Sequence, residues 1–268
     1  TPRPILMVAH GVALGLYSGS PNDMFYESHE WRKIGYQVNL PQSMFISVGD
    51  EVEIERSDEN SKNTLERIML DNSKRPLNLV QCVKYDTEAE QLAAISEKIS
   101  VLINEQNVSP EEIIIVNLRA GNNKDSMLDV QRALSDNGVS SIVPGYIESA
   151  DVFKQKDFVT ISTPFRAKGN EANIVFVINS QTVANDFTLR MRNAFFVSVT
   201  RSRGWCYISG YGDGMDKLVA EVDAIKNDFP KFKFICPDKE SVKTRKRMLQ
   251  KSDKELGRIQ DLMEMLGN

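Results

Sequence analysis

The chain predicts an α/β fold, a mostly parallel sheet sandwiched by helices, with a small inserted subdomain and a helical C-terminal tail. Three observations point there. From Leu79 onward short β-branched runs alternate with longer amphipathic segments, the pattern of βα units feeding a parallel sheet. One of those runs, Ile113-Ile114-Ile115-Val116, is unbroken and apolar, as expected of a strand covered on both faces. The length of 268 residues, 41% of them hydrophobic, suffices for a real core.

In order, Leu79 to Tyr85 reads as a strand and Thr87 to Gln106 as a helix, because Leu92, Ile95, Ile99 and Leu102 recur at spacings of three and four. Asp86 and Thr87 are suited to cap it. Ser109-Pro110-Glu111 turns the chain into the strand beginning at Ile113. A helix over Lys124 to Asp136 should stop at Asn137-Gly138, before a short strand over Ser140 to Val143. The alternation continues with strands at Phe158 to Ser162 and Ile174 to Ile178, a helix around Arg190 to Val199, and a strand at Trp205 to Ser209. Asp213 to Asn227 reads as a further helix. Lys231 to Ile235 reads as an edge strand whose alternating lysines would blunt the edge.

Two regions break this rhythm. Residues Tyr17 to Pro76 hold the aromatic group Phe25, Tyr26, Trp31 and Tyr36, a hairpin-like stretch Met44 to Glu55 around Gly49-Asp50, and the polar run Ser57 to Asn63. They read as an insertion in which Trp31, Phe25 and Tyr36 form a small core, base stacking by one of them being the alternative. The tail from Lys239 to Asn268 mixes both charge signs with sparse apolar positions, Met248, Ile259, Leu262 and Met265, as in a surface helix. The expected divisions are 1–78, 79–238 and 239–268.

The net charge of −4 gives no global pull towards nucleic acid, although a binder needs only a local patch. Three scattered cysteines, Cys82, Cys206 and Cys236, and two histidines, His10 and His29, support neither a disulfide framework nor a zinc site, and a reducing, cytoplasmic setting is expected. His10 and His29 read as packing or surface residues, since no nucleophile motif accompanies them. No apolar stretch approaches membrane-spanning length, and the start Thr1-Pro2-Arg3-Pro4 lacks an initiator methionine and a signal pattern, so a fragment of a longer protein is expected. Gly210-Tyr211-Gly212-Asp213-Gly214 lacks the dinucleotide fingerprint's spacing and reads as a turn, and the basic run Lys243, Arg245, Lys246 and Arg247 as a solvated helix face.

Two segments carry chemistry. In Val159 to Val177, a strand leads through a polar loop into another strand. Thr163 ends a parallel strand, where open α/β sheets bind ligands, and Gly169 would let a phosphate or sugar come close to the backbone. Arg166 and Lys168 add positive charge, and Glu171 offers an acceptor suited to a ribose hydroxyl. An ordinary charged surface loop is the alternative. In Arg192 to Trp205, an apolar helix ends in clustered arginines able to clamp phosphates. Cations at a helix C-terminus are also favoured by the helix dipole alone.

Together these segments resemble motifs V and VI of superfamily 1 helicases of the UvrD/Rep type. Motif V is matched by Thr163, Ala167-Lys168-Gly169 and Glu171, and motif VI by Arg192, Phe196-Val197 and Val199-Thr200-Arg201-Ser202. The stretch from Cys82 to Asp86 through Glu88, Glu90 and Ile113 to Arg119 is similar to the family's elements preceding motif V, so the resemblance spans Leu79 to Gly212. It implies a second, C-terminal RecA-like domain of the P-loop NTPase type, from a divergent subfamily, working as part of an ATP-dependent helicase. By that resemblance Arg201 is the arginine finger, Gly169 and Glu171 lie near the nucleotide's ribose, and Arg192 supports the nucleotide side. Thr163 and Arg166 face single-stranded nucleic acid, with Phe165, which replaces the family's histidine, contacting it by stacking. ATP with Mg would be held mainly by an upstream RecA-like domain of the same protein. The chain itself has no GxxxxGK[ST] motif, and Asp50-Glu51 follows no core strand, so alone it is expected to be inactive. Single-stranded DNA is the expected partner, with RNA as the alternative. Asn170 departs from the usual apolar residue before the glutamate, and Arg3 is a poor substitute for the motif IV arginine. A non-hydrolysing nucleic-acid-binding or regulatory module, and an RNA-directed or nuclease-linked relative, are the competing readings.

Overall fold

The computed structural model describes residues 1–60, 66, 78–119, 124–146, 148–149, 151–185 and 189–266. Part of the polar run, Ser61 to Asn63, together with Pro76 and Asn268, lies outside them.

Six strands form a wholly parallel sheet: β3 (Val80–Tyr85), β4 (Ile113–Asn117), β5 (Ser141–Ile142), β6 (Val159–Ser162), β7 (Ala172–Ile178) and β8 (Ser202–Tyr211), in the spatial order β3-β8-β7-β4-β6-β5. β8 is longer at both ends than its apolar run suggested. The period of two along each strand divides the core in two. Ile114, Val116, Val175 and Val177 face a layer made by helices α1 (Arg3–Leu14), α7 (Leu189–Val199) and α8 (Asp213–Asp228). Ile113, Ile115, Ile174, Phe176 and Ile178 face helices α3 (Glu88–Asn104) and α4 (Lys124–Asp136). The sheet is therefore covered on both faces, which is why its central strands are apolar without alternation. The helices begin and end where local chemistry dictates. The Thr87 side chain accepts a hydrogen bond from the Glu90 N–H at 3.2 Å, capping α3. Gly138, with φ +71°, stops α4, and Val139 N–H closes back on the Leu134 carbonyl at 3.0 Å.

A second sheet is antiparallel and small, in the order β1-β2-β9, from β1 (Gln37–Leu40), β2 (Glu51–Glu55) and β9 (Lys231–Ile235). Here the structure departs from the sequence reading in two ways. Met44 to Glu55 is not itself a hairpin: β2 pairs with β1, and residues 41–50 form the connection. β9 is indeed an edge strand, but of this small sheet, its lysines opposite glutamates, with Lys231 Nζ 2.6 Å from Glu53 Oε1. The aromatic core is correspondingly wider than one within residues 17–76. Trp31 and Tyr36, fully buried, pack edge-on at 6.1 Å, and Tyr36 lies 5.5 Å from Phe232 of β9. Burial removes both from any role in base stacking.

His10 is the polar member of that core. Its Nδ1 is 2.9 Å from the Tyr36 hydroxyl and its ring stacks on Phe196 at 5.4 Å, so burial, helped by the Arg56 charge, pushes its pKa down to about 4. A histidine whose folded pKa is depressed holds stability above the unfolded value of 6.5 and loses it as pH falls towards 4. Urea denaturation should thus show a loss between those pH values that is smaller in His10→Asn; equal pH profiles for the two proteins would contradict it. His29 stays at the surface, 3.0 Å from Glu27.

Helix α9 (Lys239–Leu266) forms the tail and buries Val242 and Leu249. Arg245 Nε donates to Asn22 Oδ1 at 3.1 Å and Lys246 Nζ to Asp23 Oδ2 at 2.5 Å, so part of the basic run pins the tail to the chain's first quarter. The side chains of Ile259, Leu262 and Met265 lie outside the description. Among the described residues, no helix is long and apolar enough to cross a membrane.

Candidate functional site

The two motif segments meet through the parallel sheet. β6 ends at Ser162 and β7 begins at Ala172, so residues 163–171 must run back from the C-terminal end of the sheet to its N-terminal end. Through β4, Ser162 is level with Val177, five residues beyond Ala172, a return of roughly 16 Å at the usual rise per residue. One loop therefore presents Thr163 at one end of the sheet and Glu171 at the other.

At the C-terminal end, Thr163 is the N-cap residue of α5 (Pro164–Ala167), yet its side chain makes no capping hydrogen bond. Pro164 and Ala167 are buried and hold α5 down, which turns Phe165 and Arg166 outward; Phe165 is 61% exposed. Arg190, in the first turn of α7, places its guanidinium carbon 5.8 Å from the centre of the Phe165 ring. The Arg166 guanidinium lies against Gly145, where a Cβ would come 2.1 Å from Arg166 Cζ. Gly145 also has φ +75°, a second reason for glycine there. Nearby, Asn117 accepts from Arg119 N–H at 2.9 Å and from Asn179 Nδ2 at 2.9 Å, fixing the chain as it leaves β4. The Arg119 guanidinium is paired with Glu88 at 2.8 Å.

At the N-terminal end, Ala172 N–H donates to the Arg201 carbonyl at 3.1 Å, and Ala172 is in register with Ser202. Glu171 and Arg201 are thereby held at one level, each just ahead of one of two adjacent strands. Glu171 is exposed, as is Gly169, whose φ is +88° and where an added Cβ would meet nothing within 4 Å beyond its chain neighbours. Arg201 is half-buried and folded back: its Nε donates to the Val197 carbonyl at 2.9 Å and its Nη2 to Thr200 Oγ1 at 3.3 Å, at the end of α7 where the helix dipole favours a cation. Thr1 Oγ1 donates to the Thr200 carbonyl at 3.0 Å, tying the chain's first residue to the same turn.

Arg192 is not at this edge. It is buried beneath α7, with Nη1 3.1 Å from Glu221 Oε1 of α8 and also donating to the Val12 carbonyl of α1. Burial pushes the Glu221 carboxyl above its ordinary range, although Arg192 works against it. The guanidinium joins three helices, whereas the resemblance implies that it supports the nucleotide side. Arg3 is likewise buried, paired with Glu66 and Asp58.

Gly145 and Arg190 were not among the residues expected from the motifs. Neither lies in a motif: the packing of α5 beside α7 brings Arg190 to the loop, and Gly145 follows β5, which pairs with β6. Among the described residues, no group of three or more His, Cys, Asp or Glu side chains is arranged to hold a metal ion. Glu171 and Gly169 are thus exposed close to the turn that carries Arg201, whose guanidinium is held at the end of its own helix.

The fold defines the class first: an open, six-stranded parallel sheet with helices on both faces is the RecA-like layout. The relationship is narrower and more telling. Residues 158–209, which contain both motif segments, match the UvrD-like helicase C-terminal domain family, so the chain carries a helicase-related domain. A solved structure described as the C-terminal domain of a possible DNA helicase from Lactobacillus plantarum WCFS1 is similar at 17% identity and a TM-score of 0.42, covering 60% of this chain and 90% of that one. No curated protein matches.

Proposed function

We propose that the chain supplies the finger-bearing half of a composite ATP site in a UvrD-type helicase, and grips single-stranded DNA with the opposite end of the same sheet. The observation that carries this reading is the single loop 163–171 spanning both ends of the sheet, with Ala172 hydrogen-bonded to Arg201. ATP with Mg, held mainly by an upstream RecA-like domain of the same protein, would supply the phosphoryl group. Glu171 would accept a hydrogen bond from a ribose hydroxyl, and Gly169 would let the sugar approach the backbone. Arg201 would leave the Val197 carbonyl and extend across the domain interface, its planar fork suited to a phosphate. At the far end Thr163 and Arg166 would donate to phosphate oxygens, which fixes the strand's path without reading its sequence.

The test is a salt titration of DNA binding by the full-length protein. Thr163→Ala with Arg166→Ala should weaken binding to single strands of different sequence about equally, and should lower the slope of log affinity against log salt by roughly 0.7 for the lost arginine contact. An unchanged slope, or a loss confined to particular sequences, would remove these residues from the backbone grip.

A further inference from the structure

We propose that Phe165 and Arg190 form a stacking platform for one unpaired nucleobase, an inference that rests on the reading of this face as a single-strand contact. The Phe165 ring is 61% exposed, and its backbone is held by the buried residues on either side. It sits between the buried Pro164 and Ala167 of a single helical turn, whose backbone is closed by Ala167 N–H on the Thr163 carbonyl at 3.0 Å. The ring is backed by Arg190, with the guanidinium carbon 5.8 Å from its centre. Arg190 stands on α7, itself anchored in the core by Met191, Ala194, Phe195 and Val199, so the backing is set by the fold and not by a loop.

The surroundings select the occupant. Arg166 is held against Gly145 on the same turn of chain, and Lys168 is exposed at its end. A flat apolar ring among cations matches a ligand that is flat, aromatic and attached to an anionic backbone: the base lies on the ring while its phosphates meet Arg166 and Lys168. An apolar protein surface would leave those cations without counter-charges. A base within a duplex offers only its edge, so the platform favours unpaired strands and tolerates any base, since every base has a flat face. Arg190 adds cation–π polarisation of the ring.

The experiment measures fluorescence anisotropy of the full-length protein with a labelled oligothymidylate and with an abasic oligonucleotide of the same length, which keeps the phosphates and lacks the bases. Phe165→Leu should weaken binding to oligothymidylate about tenfold, within the range measured for a single base–aromatic stack. Its binding to the abasic strand and its salt slope should stay unchanged, and Phe165→Trp should bind oligothymidylate at least as well as wild type. Arg190→Ala should narrow the wild-type preference for the base-bearing strand. Phe165→Leu that leaves both affinities unchanged overturns the platform while leaving the phosphate grip intact, and an equal loss on both strands overturns it by assigning Phe165 to that grip. Failure of the wild-type protein to bind either strand overturns the single-strand reading and the platform with it. Because Phe165 is exposed, a circular dichroism spectrum matching wild type is expected for each variant.

Discussion

Arg201→Ala in the full-length protein is expected to lower ATP turnover by roughly a thousandfold, the lower end of what lost arginine fingers cost, while leaving ATP binding largely intact. The size of the effect follows from where the charge would act. A guanidinium brought to a phosphoryl group between two closed domains works in a water-poor site, whereas the same side chain folded on the Val197 carbonyl contributes only a helix-end interaction. The fold should be indifferent to its removal, because Arg201 is half-buried and its two hydrogen bonds are local to the end of α7. Arg201→Lys should recover little, since an ammonium keeps the charge but not the planar fork. Single-turnover phosphate release, with nucleotide affinity measured separately, checks this. Near-normal turnover in Arg201→Ala would take the residue out of the chemistry, and a matching loss of affinity would assign it to binding alone.

The second large effect is on stability. Arg192→Ala should destabilise the protein by about 3 to 5 kcal/mol at neutral pH, because it leaves the Glu221 carboxylate buried without its partner. It also removes one of the two hydrogen bonds to the Val12 carbonyl, which then keeps only the Gly15 N–H at 3.2 Å, and so loosens α1, α7 and α8 at once. The pH dependence has a definite sign. Burial already raises the Glu221 pKa above its unfolded value, so its favourable contribution is complete below the unfolded value and is lost as pH rises through the folded one. Without Arg192 the folded value rises further. The difference between Arg192→Ala and wild type should therefore be greatest at pH 7 and shrink as the pH is lowered towards the carboxylate range, where the neutral carboxyl no longer needs a cation. Urea denaturation at pH 7 and pH 5 measures both differences. A deficit equal at the two values would mean that lost packing, and not the stranded charge, dominates. Replacing both partners, Arg192→Met with Glu221→Leu, should restore most of the stability.

The contrast between Arg192 and Arg201 shows where reading residues in order stops. Both lie in one motif, and nothing local distinguishes a buried arginine from an accessible one. The distinction is made by Glu221, 29 residues later on another helix, which the packing of α8 brings beneath α7. Phe165 differs again: its exposure follows from the buried residues on either side of it, but the cation behind it comes from α7.

What the sequence determined by itself is the local physics. The strands of the parallel sheet, the helix caps at Thr87 and Gly138, and the two motif segments are all written in periodicity, capping chemistry and short spacings, each settled by neighbours within a few residues. The tertiary structure alone decided which distant pieces complete one another. β9 joins β2 and closes the small sheet over Trp31 and Tyr36. The loop 163–171 divides its residues between opposite ends of the parallel sheet, and Ala172 meets Arg201 across two strands. Antiparallel pairing and burial are satisfied between segments far apart in the chain, and their free energy depends on the whole assembled surface, so no window of sequence contains them.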